Sequence, residues 1–338
     1  MSLRQLFVGL AVLMAPSLLA YALSAAEPKP AADGLEEKEE KFDYTIEGQT
    51  KHGTRKVVTL DLGGGVTMEL VRIPHGTFMM GSPDSDKDAD NNEKPQHEVE
   101  ITKDFYLGKY LVTKMQFARF VEAAKYQTEA ETDGKGGSGY DGKDFKYDPE
   151  YTWRDPGFTQ GDNHPVVNVS WNDATELCKW ASGATKRRIV LPTEAQWEYA
   201  CRAGTTTRNF TGDKAESLDG SANVADRTFK KQFPNLPSGD IDDGYVFTSP
   251  VAKFRPNPFG LYDMTGNAGE WCADYYDDKY YKTSDKKDPE NITKTDARVL
   301  RGGSWYRSPG DCRAAYRNRG APASRGDGVG CRVCLSLN

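Results

Sequence analysis

The side chains with the most chemical potential in this 338-residue chain are its six cysteines, Cys178, Cys201, Cys272, Cys312, Cys331 and Cys334. A cysteine reacts as a thiolate, which needs a helix N-terminus, a cation or a metal beside it. Cys331 and Cys334 have CxxC spacing, yet they close an extended run instead of opening a helix, so redox cycling is not expected of them. The four histidines, His52, His75, His97 and His164, show neither HxH nor HxxxH spacing, which argues against a histidine-built zinc or iron centre. His164 precedes Pro165 and reads as a hydrogen-bonded structural residue. No Ser-His-Asp grouping, phosphate-binding loop or catalytic carboxylate pair stands out.

Oxygen donors offer more. Residues 132–162 and 205–249 are rich in Asp, Asn and Gly and too poor in apolar residues for regular elements of their own. Calcium takes about six to eight oxygens from carboxylates and backbone carbonyls, and such loops present both. Long irregular loops inside a compact domain also need a tether, which metal ions or disulfides supply.

Regular elements must hold these loops. Residues 57–62 and 66–73 alternate like strands around Gly63-Gly64-Gly65, which predicts a hairpin. Thr113 caps an amphipathic helix running to residue 125, with Phe117, Phe120, Val121 and Ala124 on one face. Ser170 with Asp173 and Thr193 with Gln196 are capping boxes for two further helices. The first turns Ala174, Leu177, Cys178 and Ala181 inward; the second turns Trp197, Ala200 and Cys201 inward and stops at Gly204.

A hydrophobic content of 37% supports a real core, and a net charge of -6 gives no pull towards nucleic acid or anionic membrane. Residues 1–26 combine Arg4, an apolar run and Ser24-Ala25-Ala26, and read as a cleaved signal peptide whose run falls short of the about 20 residues of a membrane span. The expected location is therefore secreted or periplasmic, free of the membrane after cleavage, where disulfides are the default fate of cysteines. Residues 27–56, centred on Glu36-Glu37-Lys38-Glu39-Glu40-Lys41, read as a solvated charged linker, which leaves 57–338 as one domain.

Within that domain five segments are too particular for propensity to explain. They are Met68-Glu69-Leu70-Val71-Arg72-Ile73-Pro74 with Gly76-Thr77-Phe78-Met79-Met80-Gly81-Ser82; His164-Pro165-Val166-Val167-Asn168-Val169-Ser170-Trp171; Leu191-Pro192-Thr193-Glu194-Ala195-Gln196-Trp197-Glu198-Tyr199-Ala200; Asn257-Pro258-Phe259-Gly260-Leu261-Tyr262-Asp263-Met264 with Gly266-Asn267-Ala268-Gly269-Glu270-Trp271; and Arg301-Gly302-Gly303-Ser304-Trp305. In this order they resemble the formylglycine-generating enzyme, or sulfatase-modifying factor, family over residues 66–335. The resemblance implies a single α+β domain of the irregular C-type-lectin-like kind, low in regular structure. In active members a pair of cysteines binds copper and uses oxygen to convert a sulfatase cysteine into formylglycine. Other members serve as tailoring oxidases or as binding modules, so membership alone does not fix the reaction.

Residue by residue, the resemblance implies two calcium sites: one from the Asp263 and Glu270 side chains with the Gly266 and Ala268 carbonyls, the other from Asn223, Val224, Asp243 and Tyr245. It also implies disulfides, Cys201 with Cys312 and Cys178 with either Cys331 or Cys334. The family cysteine lies at the Val333 position, and strand parity, which puts Cys331 on the face of Val333, favours Cys331.

The oxidase centre departs from the pattern. Active members carry cysteines at the spacing of Arg307 to Cys312, because Cu(I) suits two thiolates. Here Cys312 has no such companion, Ser304 and Cys312 remain as the only marks of the family centre, and Gly269 replaces a tryptophan. Copper is therefore not expected. The reading is a calcium-stabilised binding or accessory module, expected to be monomeric, with a groove around Trp305, Tyr306, Arg307 and Arg313 for a sulfatase, a peptide or another extracytoplasmic ligand. The alternative is an oxidoreductase, either a formylglycine-generating oxidase or a periplasmic tailoring oxidase.

Overall fold

The computed structural model describes residues 34–337, so the signal-peptide reading lies outside the described residues. The strands are β1 (Lys38–Ile46), β2 (Gln49–Asp61), β3 (Thr67–Ile73), β4 (Gly76–Met80), β5 (His97–Ile101), β6 (Phe105–Gly108), β7 (Gly137–Tyr140), β8 (Phe145–Asp148), β9 (Ile189–Val190), β10 (Gly269–Tyr275), β11 (Arg298–Arg301), β12 (Asn318–Gly320), β13 (Val329–Gly330) and β14 (Cys334–Ser336). The helices are α1 (Lys114–Ala124), α2 (Glu129–Thr132), α3 (Trp171–Thr185), α4 (Glu194–Arg202) and α5 (Arg227–Gln232). A six-stranded antiparallel sheet runs β1-β2-β3-β6-β14-β9, and a four-stranded sheet runs β12-β11-β10-β13 with β10 and β13 parallel.

Strand alternation divides the larger sheet into two buried faces. Val58, Leu70 and Tyr106 meet Phe117 and Phe120 of α1 and Ala174 and Leu177 of α3. Val57, Val71 and Leu107 meet Trp197 and Ala200 of α4 on the opposite side. The three expected helices begin where their capping boxes stand, at Thr113, Ser170 and Thr193, each side chain accepting the N3 amide. Ala124, expected inward, is exposed in the last turn of α1, and α4 stops at Ala203, one residue before Gly204.

Two expectations fail. Residues 38–56 are not a solvated linker: β1 and most of β2 form a hairpin in this stretch, paired from Lys38 opposite Val57 to Ile46 opposite Gln49. The ordered domain therefore begins well before residue 57. The charges are not solvated at random but paired across the sheet, Glu40 with Arg55 and Lys109, and Glu37 with Lys56 and Arg72. Phe42 is the hairpin's apolar anchor, with the Arg55 guanidinium over its ring. The stretch 132–162 likewise carries a regular hairpin, β7–β8, whose aromatic residues pack on the distant cluster around Trp305, and the stretch 205–249, also expected to lack regular elements, carries α5 with Phe229 buried.

Candidate functional site

The segment after β11 is held from behind by ions. Arg301 is 1% exposed, pairs with Glu198 and donates to the Ala314, Ala315 and Tyr316 carbonyls. Gly303 then turns with φ 73°, and a Cβ there would come within 2.2 Å of the Cys312 sulfur, so only glycine fits. Beyond the turn Trp305 is fully buried among Phe158, Phe229 and Phe247, with ring centroids 5.1 to 6.0 Å away. Its Nε1 donates to the Asp327 carbonyl at 3.0 Å. Tyr306 lies edge-on to Trp305 at 5.0 Å, and the Arg307 guanidinium sits 5.5 Å from the Tyr306 ring centre.

Ser304, Trp305, Tyr306 and Arg307 follow one another here, but two expected groove residues are not free: Trp305 is fully buried in the aromatic cluster, and Arg313 is held elsewhere. Its guanidinium is buried and grips both oxygens of the buried Glu93 at 2.7 and 2.8 Å, joining the segment to the loop after β4. Glu93 gave no signal in sequence, because its partner lies 220 residues away.

Cys312 is packed with Leu218, Ala222, Val224 and Ile241, and no other cysteine shares that cluster. Burial pushes its thiol up to about 12, so it is neutral at physiological pH. A two-thiolate copper site does not fit this donor set. The expected bridges are also absent: all six cysteines are free and buried. Cys201 belongs to the core beneath α4, its sulfur 3.5 Å from the Met264 carbonyl oxygen, whereas Cys312 faces Gly303 in another cluster. Cys178 and Cys331 do share a cluster as unbridged thiols, whereas Cys334, opposite Leu107 of β6, packs in the cluster on the other face of the sheet with its sulfur 3.8 Å from the Gln196 side-chain oxygen.

The expected calcium ligands separate into one set that does not fit and one that does. Glu270 is fully buried, and both its oxygens are taken: Arg332 donates to them at 2.9 to 3.1 Å and Trp197 Nε1 donates at 2.7 Å. A guanidinium already neutralises this carboxylate, so its side chain is no ligand for an ion. Asp263 accepts the Ala252 amide and the Asn267 side-chain amide, and burial raises its pKa. Gly266 serves the fold, since with φ 75° a Cβ would come within 1.9 Å of the Asn223 carbonyl oxygen. Ala268 is packed in the aromatic cluster of Trp305.

In the other set, Asp243 accepts the Val224 amide at 2.9 Å and the Tyr245 amide at 2.8 Å, which gathers the expected residues in one loop. Asn223 is 1% exposed, its Nδ2 donates to the Phe247 carbonyl, and its Oδ1 has no partner. Burial, with Asp226 and Asp242 nearby, pushes Asp243 up to about 7. An orphaned buried oxygen beside a desolvated carboxylate with acidic neighbours suits a calcium ion.

Sequence reasoning passed over Asp327 altogether. It stands in Arg325-Gly326-Asp327-Gly328, which reads as an ordinary turn, and only the fold brings it to Trp305 and Tyr306.

The model of the sulfatase-modifying factor enzyme 1-like domain matches residues 65–337. The chain belongs to that family. It is 35% identical over 280 residues to the formylglycine-generating enzyme of Streptomyces coelicolor, covering 77% of this chain and 84% of that protein. It is 33% identical over 311 residues to the inactive C-alpha-formylglycine-generating enzyme 2 of Bos taurus, covering 82% and 91%. Among solved structures, PvdO from Pseudomonas aeruginosa superposes with a TM-score of 0.65 at 29% identity, covering 83% of this chain and 98% of that one. The sulfatase-modifying factor match begins after β2, so the whole β1–β2 hairpin precedes the family core. The irregular α+β domain with few helices is the C-type-lectin-like fold expected of the family.

Proposed function

We propose that this chain is an extracytoplasmic binding or accessory member of the sulfatase-modifying factor family, stabilised by one calcium ion and without copper-dependent cysteine oxidase activity. The observation that carries this reading is Arg307 standing where the first thiol is needed, with Cys312 alone in an apolar cluster. A relative named as inactive at 33% identity supports it, since the family includes members without the oxidase reaction. Calcium would be held by the Asn223 and Asp243 side chains with the carbonyls of Val224 and Tyr245, and would tie the 205–249 loop to the domain. The site offered to a ligand is the surface around Tyr306 and Arg307, and a sulfatase or a peptide is the partner class the family suggests.

The second reading is a formylglycine-generating oxidase, favoured by 35% identity to an enzyme of that name. A peptide containing Cys-x-Pro-x-Arg, incubated with the protein, copper and oxygen, separates the two by mass spectrometry. Unchanged peptide is expected, and conversion of its cysteine to the aldehyde would establish the oxidase.

A further inference from the structure

We propose that β1 is the contact strand of a two-fold dimer, in which it pairs antiparallel with β1 of a second copy of this chain and the two six-stranded sheets join into one. The inference goes beyond the binding-module reading, does not depend on it, and replaces the monomer expected from the sequence. β1 stands at one end of the sheet, and all 9 of its residues pair with β2 in one uninterrupted register. On its other side no backbone amide or carbonyl of Lys38–Ile46 is hydrogen-bonded among the described residues. Open edges of this length template another strand, and sheets blunt them with proline, bulges, shortness or charge. The opposite end of the same sheet is blunted by shortness, since β9 has 2 residues. β1 has neither proline nor bulge, and its charges, the one remaining device, are arranged to match a second β1.

The hairpin fixes which groups face outward. Its turn residues, Glu47 and Gly48, have φ 49° and 74°, the two-residue turn whose flanking pair, here Ile46 and Gln49, is closed by hydrogen bonds. Hydrogen-bonded and open pairs alternate along an antiparallel ladder, so the even-numbered residues bond to β2, while Glu39, Lys41, Asp43 and Thr45 turn their amides and carbonyls outward. A second β1 must therefore set odd residues opposite odd residues. With Phe42 on the two-fold axis the strands overlap completely, and Lys41 of each copy lies opposite Asp43 of the other. A slip of two residues sets Lys41 against Lys41 with Glu39 against Asp43, or Asp43 against Asp43, and a slip of four leaves barely half of the strand paired. Opposite charges directly across an antiparallel pair stabilise it and like charges destabilise it, so the charges select the complete overlap. Both side chains are available for it. Lys41 is exposed and forms no ion pair among the described residues, and Asp43, its side chain 65% exposed, pairs only with the surface His52 of β2. Phe42 and Thr45 are buried in their own domain, so the contact is one of backbone and charge without an apolar centre, which belongs to the weak, concentration-dependent class.

Sedimentation velocity of the purified protein over about 5 to 200 µM should show a monomer–dimer equilibrium. Lys41→Asp alone and Asp43→Lys alone each place like charges across both symmetry-related pairs, and each should weaken the dimer by about tenfold or more. An equimolar mixture of the two variants sets an acid against a base in every such pair and should dimerise as the unaltered protein does; so should the double variant. Because both side chains are exposed, the variants should melt close to the unaltered protein. Monomer at every concentration, dimers that ignore the single substitutions, or a mixture that stays monomeric overturns the proposal, and an edge that serves the strand of a different protein would give the first of these. Aldehyde formation in the peptide assay is read separately, so the dimer and the non-oxidising reading can each fail without the other.

Discussion

At the scale of the residue, the decisive fact is which carboxylates are already satisfied. The family resemblance implies both Glu270 and Asp243 as calcium ligands. They differ because Arg332, 62 residues from Glu270, reaches its carboxylate, while among the described residues no cation pairs with Asp243. The two should therefore respond oppositely to substitution. Asp243→Asn should abolish the rise in melting temperature that calcium produces, and Glu270→Gln should lower the melting temperature with and without calcium alike, both read by scanning calorimetry with and without chelator. Arg332→Met should cost about 3 to 5 kcal/mol in urea denaturation, because it strands a fully buried carboxylate. Glu93 with Arg313 follows the same logic. An ion pair closed by the fold cannot be read from either partner's neighbours, and for that reason the sequence misplaced Arg313 in the groove.

At the scale of the element, local chemistry was legible and long-range pairing was not. The three main helices start at Thr113, Ser170 and Thr193 because the capping box is complete within four residues, with the Gln116, Asp173 and Gln196 side chains returning to the cap amides. The β1–β2 hairpin escaped notice because its composition is that of a solvated segment, and the partners that neutralise it, Arg72 and Lys109, lie in or beside strands further along. A solvated linker would tolerate loss of its one buried aromatic ring. The hairpin should not: Phe42→Ala is expected to destabilise by about 3 kcal/mol in urea titration. The β7–β8 hairpin was hidden for the same reason, since its support comes from Phe233 and Trp305.

At the scale of the whole molecule, the family fold follows from motifs that run through almost the entire domain, while the chemistry depends on what faces one short segment. The buried acids set the response to pH. Asp243 and Asp274 both hold their protons to about 7 in the fold, against an ordinary value of 3.8, because burial disfavours their charged forms. The folded state then binds more protons than the unfolded one, so without calcium the stability these groups contribute falls as pH rises from about 4 to about 7. Calcium should counter this, since it binds the ionised Asp243, and the calcium-induced shift in melting temperature should grow over that interval. Thermal melts between pH 4 and 8, with and without calcium, check both slopes. The central claim, that this member has lost the sulfur pair of a copper oxidase, is tested most directly by Cu(I) affinity under anaerobic conditions in competition with a chromophoric chelator. The protein and its Cys312→Ala variant should surrender copper equally and completely to the chelator. One equivalent retained by the protein and lost on removing Cys312 would contradict the account.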